Sequence, residues 1–259
     1  MDMRGDVSSQ ERQRQILYLI GRSQRVTVNQ VVAKFAISQA TARRDLEALA
    51  EQGKVRRVHG GAIAVRGAPA EPPVLLRKNE QSAEKRRIGQ AAAELVSDGE
   101  TVFLGSGTSV VEVATHLRTR RALTVITNSL LVLNALADVP TITVIGLGGG
   151  LNRSGMSFIG HIAAQALSEL RTNKVIFSIR GIDVEHGLTN DDLQETMVDR
   201  VILTIAREVI IVADHTKCGR VAAAVVAPLT SVNTLVTDGL TSPEFVAGAR
   251  AQGVRVISA

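Results

Sequence analysis

The chain is 259 residues long, 45% hydrophobic but only 2% aromatic, with a formal net charge of +5. That suits one small domain and one of ordinary size, both packed mainly through aliphatic side chains. A single cysteine excludes an intramolecular disulfide framework, and neither it nor the five histidines has metal-ligand spacing, so no metal site and no cofactor is expected. No apolar run is long enough to span a bilayer and the start, MDMRGDVSSQ, lacks a signal-peptide core, so the expected location is cytoplasmic, with no membrane partner.

In chain order, Glu11 to Gly21 carries Ile16, Leu17 and Ile20 as an apolar stripe, and Thr27 to Phe35 carries Val28, Val31, Val32 and Phe35 behind a capping Thr27. Ala36-Ile37 reads as a turn into Ser38, the cap of a third helix that runs to Gly53. Ala42, Leu46, Leu49 and Ala50 recur on one face of that helix; Gln39, Thr41, Arg43 and Arg44 lie on the other. Val55 to Val58 alternates as a short strand and puts Arg56, Arg57 and His59 on a wing. Three short helices and a two-stranded wing make a winged helix-turn-helix, whose helix after the turn enters the major groove of double-stranded DNA. Ser38, Gln39, Thr41, Arg43, Arg44, Arg56, Arg57 and His59 are the expected DNA contacts. A cluster of arginines can also be a mere solvated face, and the charge distribution weighs against that. Residues 1–66 hold 12 of the 30 Lys and Arg but only 6 of the 25 Asp and Glu, so all of the excess positive charge lies there.

The segment VRGAPAEPP, Val65 to Pro73, has neither helical nor strand period and marks a linker, taken as residues 67–81 between a domain of 1–66 and one of 82–259. Beyond it, continuous apolar runs at 101–105, 123–127, 141–146, 174–179, 208–213, 232–237 and 254–258 read as strands buried on both faces of a mainly parallel sheet. Helical stretches at 82–96, 109–117, 130–137, 158–170 and 193–206 fill the intervals, giving a layered, Rossmann-like α/β domain.

In such sheets ligands lie beyond the carboxyl ends of the strands. The residues there are Gly105-Ser106-Gly107-Thr108-Ser109, whose N–H groups and hydroxyls suit a phosphate; Thr127-Asn128-Ser129; Gly146 to Gly150 followed by Arg153, a charge partner for an anion; Arg180-Gly181-Ile182-Asp183 with Glu185 to Thr189; and Asp214-His215-Thr216-Lys217. Asp183 or Asp214 would accept bonds from sugar hydroxyls and Lys217 would pair with a phosphate, so the set points to a polyhydroxylated anion. Each loop alone is as well explained by tight packing; their convergence on one edge favours a ligand site. Gly105 to Ser109 does not complete GxGxxG, which argues against a dinucleotide.

The run from Arg12 to Ala62, with ATARRDLEALAEQGKV and RVHGGA, closely resembles the N-terminal domain of DeoR-type bacterial transcriptional repressors. The resemblance extends along the chain through GxGT, TVITNS, the GGG turn, GID followed by GLT, Glu195, Arg200, ADHTKCG and Thr237-Asp238. It implies a C-terminal domain similar to ribose-5-phosphate isomerases that binds a phosphorylated sugar or sugar-acid effector, a homodimer or homotetramer, and release from an operator on binding. Carried over by motif, the effector site includes Ser106, Gly107, Thr108, Asn128, Gly149, Asp183 and Lys217, with Glu195 lining it; Gly105, Ser109 and Arg153 join from the loop reading. Three positions depart from the family pattern: Gly105 stands where an acidic residue is common, Asp199 where Lys is common, and Arg180 where a smaller or neutral residue is common, which points toward a more oxidised or otherwise altered anion. The competing reading is a sugar-phosphate isomerase with Asp183, Glu185 or Glu195 as general base. The chain lacks the isomerases' base-bearing glycine motif and carries a DNA-binding domain, so no catalytic residue is assigned.

Overall fold

The computed structural model describes residues 9–23, 25–51, 55–58, 60–64, 73–77 and 79–259. The expected helix stop at Gly53, the wing residue His59 and most of the Pro-rich linker lie outside them. The chain divides into two compact units, Met1–Pro72 and Pro73–Ala259.

In the first unit, α1 (Ser9–Ser23), α2 (Val28–Phe35) and α3 (Gln39–Glu51) pack around Ile16, Ile20, Val31, Ala42, Leu46 and Leu49. Thr27 caps α2 reciprocally: its Oγ1 accepts the Gln30 N–H at 3.2 Å while Gln30 Oε1 accepts the Thr27 N–H at 2.8 Å. Ala36 then closes α2 in the left-handed region at φ 51°, a conformation that costs a non-glycine residue roughly 1–2 kcal/mol. Ser38 starts α3 by accepting the Thr41 N–H at 3.1 Å.

The wing has three strands where two were expected. β1 (Arg25–Thr27) pairs antiparallel with β3 (Gly61–Ala64), which pairs with β2 (Val55–Val58). A three-residue strand has too little periodicity to be read from sequence. Gly61 makes the sheet possible, because a Cβ there would lie 2.0 Å from the Val26 carbonyl oxygen.

In the second unit, residues 73–77 of the segment expected as linker are folded. Helix α4 (Val74–Arg77) buries Val74 completely and donates its N–H to the Ser154 carbonyl at 2.7 Å. A Pro-rich composition marks where a chain turns, and the Val74 following it still finds a surface to bury, while Leu75 stays exposed.

Among the described residues, seven parallel strands form the main sheet of this unit in the order β15-β14-β12-β9-β4-β5-β6. These are β4 (Thr101–Leu104), β5 (Leu123–Thr127), β6 (Ile142–Gly146), β9 (Thr172–Phe177), β12 (Ala206–Val212), β14 (Thr234–Thr237) and β15 (Arg255–Ser258). Their side chains alternate between two cores. Val102, Leu104, Ile176, Ile210 and Val236 face α5 (Ser82–Glu94), α6 (Thr108–Leu117) and α7 (Leu130–Leu136). Phe103, Val175, Phe177, Ile211 and Leu235 face α8 (His161–Ser168), α9 (Leu193–Ile202) and α10 (Pro243–Ala251). This is the expected α/β layering, with burial on both faces explaining the continuous apolar runs.

Several boundaries differ. The helix expected from 158 begins at His161, because Ser157–Ile159 is β8, returning antiparallel along β7 (Gly150–Asn152). The helix expected to 206 ends at Ile202, and Ala206 starts β12 against Thr172. A second small sheet, β10 (Gly181–Asp183), β11 (Gly187–Asn190) and β13 (Ala224–Ala227), flanks α9.

Candidate functional site

Two surfaces gather the polar residues singled out from sequence, one in each unit. In the first unit, Ala42, Asp45, Leu46 and Leu49 face inward from α3, which leaves Gln39, Arg43 and Arg44 exposed at its N-terminal half. Ser38 is spent on capping and Thr41 is half-buried beside it, their hydroxyls 2.9 Å apart. Arg56 is exposed on β2, whereas Arg57 turns back and donates to the Gly61 carbonyl at 2.9 Å, which stitches the hairpin.

Asp45 is the residue that sequence reading passed over. Only 3% exposed, its carboxylate accepts from Arg12 Nε at 2.6 Å and Gln13 Nε2 at 3.2 Å, and so ties α1 to α3. The RRDL motif thus contributes two exposed guanidiniums and one buried anchor.

In the second unit the chain runs from β4 outward to β5 and β6, then returns to β9 on the other side of β4. The crevice between the ends of β4 and β9 is therefore the topological switch point, where ligands bind in such sheets. The loop after β4 presses against the end of β9: a Cβ on Gly105 would lie 2.6 Å from Phe177 Cβ, and one on Gly107 3.1 Å from Ser178 Cβ. Gly107, at φ 121°, precedes α6, whose first residues Thr108 and Ser109 are buried. The positive end of α6 points out of this loop. A carboxylate at position 105 has no room on this backbone.

Lys85 adds a cation that sequence reading did not assign. Helix α5 ends where β4 begins and α6 begins where β4 ends, so the two run in the same direction. Gly89 of α5 touches Glu112 and Val113 of α6, which puts Lys85, one turn earlier, level with Thr108. Lys85 is 5% exposed and donates to the carbonyls of Arg77 at 2.9 Å and Glu80 at 2.6 Å. Burial lowers its pKa, and Asp214 opposes that by favouring the charged form. Burial likewise raises the Glu80 carboxyl against the pull of Lys85 and Lys217. The turn between α4 and α5 therefore shares one electrostatic neighbourhood with Asp214 and Lys217, which follow β12. Only position shows this: in the helix sequence, SAEKRRIGQAAAE, Lys85 stands next to Arg86 and Arg87, both of which are exposed.

Asp214 is buried and caps the turn carrying Lys217, accepting the Thr216 N–H at 3.0 Å. His215 bonds to Asp238 at the end of β14, N–H to carboxylate at 2.8 Å. Asn128, after β5, is 4% exposed; its amide donates to the Phe158 carbonyl at 3.1 Å, and its Oδ1 has no partner among the described residues. The same holds for Ser157 Oγ, on the strand that bridges to Ser129.

Other residues chosen from sequence have local duties. Asp183 Oδ1 accepts the N–H groups of Glu185 and His186 and bonds His186 Nδ1, each at 2.9 Å. Burial opposes ionisation of this carboxyl, but those bonds hold its pKa below the ordinary value. It closes the β10–β11 hairpin, whose Val184 packs on Gly248 of α10 and accepts from Gln252, while the Ile182 carbonyl accepts the Gly219 N–H at 2.8 Å, two residues beyond Lys217. Glu195 Oε1 accepts from Asn152 Nδ2 at 2.6 Å and links α9 to the β7–β8 ribbon. Gly149 is pressed against the Ile159 carbonyl, and Arg153 sits exposed in the ribbon's turn. Arg180 is buried on Asp191, which Arg220 also approaches. Cys218 is held by burial at a pKa of about 11, which makes it a poor nucleophile.

Asp199, where the family commonly carries Lys, accepts from Asn190 Nδ2 at 2.7 Å. Burial, reinforced by Glu195 and Asp192, pushes it up to about 8 from 3.8. The unfolded chain loses this proton near pH 4 while the folded chain keeps it to about pH 8, so folding is favoured less as pH rises through that window. Asp199→Asn, which keeps the acceptor, is expected to melt several degrees above wild type at pH 8.5 and at the same temperature near pH 4; parallel melting curves would refute the assignment.

Residues 12–67 match the DeoR-like helix-turn-helix domain, and residues 80–239 match the DeoR C terminal sensor domain. The transcriptional repressor AccR of Agrobacterium fabrum is 35% identical over 233 residues, covering 89% of this chain and 90% of that protein. The glycerol-3-phosphate regulon repressor of Escherichia coli is 34% identical over 228 residues, covering 88% and 90%. Among solved structures, ribose 5-phosphate isomerase A of Methanocaldococcus jannaschii covers 53% of this chain and 55% of its own at 16% identity and a TM-score of 0.39, a likeness that carries no functional weight. With both halves matched and the relatives spanning nearly the whole length, the chain belongs to the DeoR family of transcriptional regulators.

Proposed function

We propose that the protein is a cytoplasmic, sequence-specific repressor of a carbohydrate-use operon, acting as a homodimer or homotetramer and released from its operator by a phosphorylated sugar or sugar acid. The observation that carries the effector half is the meeting, at one sheet edge, of the α6 N-terminus at Gly107–Ser109 with Lys85, Asp214 and Lys217. A phosphate fits the helix terminus and the cations, and Asp214 and the unpartnered Asn128 Oδ1 fit sugar hydroxyls. The turn from Arg77 to Glu80 hangs on Lys85 through its carbonyls and follows the stretch that leads from the DNA-binding unit. Release of the operator requires that the ligand bind the DNA-incompetent arrangement more tightly than the DNA-bound one. Sensing is favoured over isomerisation because two of the three carboxylates considered as bases, Asp183 and Glu195, are engaged by their own turn and by Asn152.

The test is a gel-shift assay on the operator with glycerol 3-phosphate, glucose 6-phosphate, fructose 6-phosphate, ribose 5-phosphate and 6-phosphogluconate added in turn, beside thermal shifts of the full chain. At least one is expected to release DNA and raise the melting temperature. Aldose–ketose conversion of ribose 5-phosphate that disappears in Asp183→Asn would instead favour an enzyme. On the DNA side, Arg44→Ala is expected to weaken operator binding by about 1–3 kcal/mol if the guanidinium reads a guanine; an unchanged gel shift removes α3 as the reading helix.

A further inference from the structure

Helix α9 is apolar on the wrong side. Its inner face buries Thr196, Val198 and Ile202, yet its outward stripe reads Leu193, Met197, Arg200, with Leu193 74% and Met197 48% exposed. A solvated helix face carries polar residues in those places. Asp192, exposed, stands at the N-terminal end of the stripe as the cap of α9. Arg200, exposed near the other end, reaches across to the carbonyl of Val225, itself 57% exposed on β13. Among the described residues of the DNA-binding unit, no large apolar side chain is comparably exposed.

We propose that this outward face of α9 is where a second copy of the chain docks, the two helices crossing antiparallel about a two-fold axis. The charge order makes the stripe complementary to itself: acid, Leu193, Met197, base. Antiparallel pairing sets Asp192 against the partner's Arg200 and Leu193 against the partner's Met197, and the two-fold repeats each contact, as an isologous interface requires. Among the described residues, Asp192 keeps a carboxylate oxygen and Arg200 keeps N–H groups beyond those used. A helix-turn-helix protein reading paired half-sites needs such a two-fold partner. The inference rests on the regulator reading only in that need.

Charge exchange in the full-length chain tests it, with mass in solution from light scattering or sedimentation as the readout. Wild type is expected at a multiple of the 27.6 kDa chain. Asp192→Arg and Arg200→Asp each place like charges in both repeats of the contact, so each is expected to dissociate at concentrations at least tenfold higher than wild type does. Mixed in equal amounts, the two variants pair opposite charges in both repeats, and association returns to within a few-fold of wild type; a folding defect would not be rescued by mixing. Met197→Glu, which leaves the cap and the Arg200 bond alone, is expected to dissociate too while melting within a few degrees of wild type. A monomeric wild type, variants of unchanged mass, or a mixture that stays dissociated overturns the proposal and leaves this face to the chain's own DNA-binding unit or to another protein. Because mass is the readout, such a failure leaves the operator and effector experiments above standing.

Discussion

Lys85→Ala is expected to stay on its operator when the effector that releases wild type is added. The ammonium is buried and level with the start of α6, and Asp214 stabilises its charge against the burial. Its loss removes a charge-assisted bond to an anion, worth about 1.5–3 kcal/mol, or roughly a ten- to hundredfold weaker effector response. Lys217→Ala is expected to act in the same direction, since Lys217 also bears on Glu80 and Lys85. Operator affinity without effector should be unchanged, because neither lysine belongs to the DNA-binding unit. A Lys85→Ala protein released at the wild-type effector concentration would place the anion elsewhere. A protein that no longer binds DNA at all would show Lys85 to be a structural residue of the α4–α5 turn.

Asp45→Ala is expected to abolish operator binding although Asp45 faces away from the exposed side of α3. Its carboxylate is 4% exposed and its Arg12 partner 12% exposed, so truncation leaves a guanidinium in a nearly closed site without its carboxylate. Removing one partner of a buried ion pair costs about 3–5 kcal/mol, a large share of the stability of a unit this small. The expected melt has two transitions: the sensor unit at its wild-type temperature, and a DNA-binding unit shifted down by ten degrees or more. A single unshifted transition would mean that α1 and α3 hold together on their apolar contacts alone.

The winged unit was legible because each of its helices reports itself locally. Thr27 and Ser38 cap where they were read, and Ala42, Leu46 and Leu49 face the core at helical spacing. The sheet of the second unit was legible for a related reason: strands covered on both faces need uninterrupted apolar runs, and Val102 to Leu104 or Val209 to Val212 can hardly be anything else. Less visible were the pieces too short to carry a period, β1, α4 and the β7–β8 ribbon, and the second role of RRDL, in which Asp45 turns inward while Arg43 and Arg44 stay out.

The candidate effector site divides in the same way. Gly105 to Ser109 and Asp214 to Lys217 each follow a strand, so a sheet of that kind must bring them to one edge. Asp183 also follows a strand, and from sequence it looked equivalent. The structure sends it into the β10–β11 hairpin, where its oxygen is taken by two backbone N–H groups and a histidine. Lys85 moved in the opposite direction, from an unassigned helix position to one that feels the charges of Asp214 and Lys217. What the amino-acid sequence determined by itself was which segments form helices and strands, where the positive charge concentrates and which loops end strands, since all of these follow from local spacing and composition. What only the tertiary structure decided was which polar side chains remain available at the edge, because that depends on strand order and on partners tens of residues away: Arg12 for Asp45, Asp191 for Arg180, and the helix pairing at Gly89 that sets Lys85 beside the start of α6.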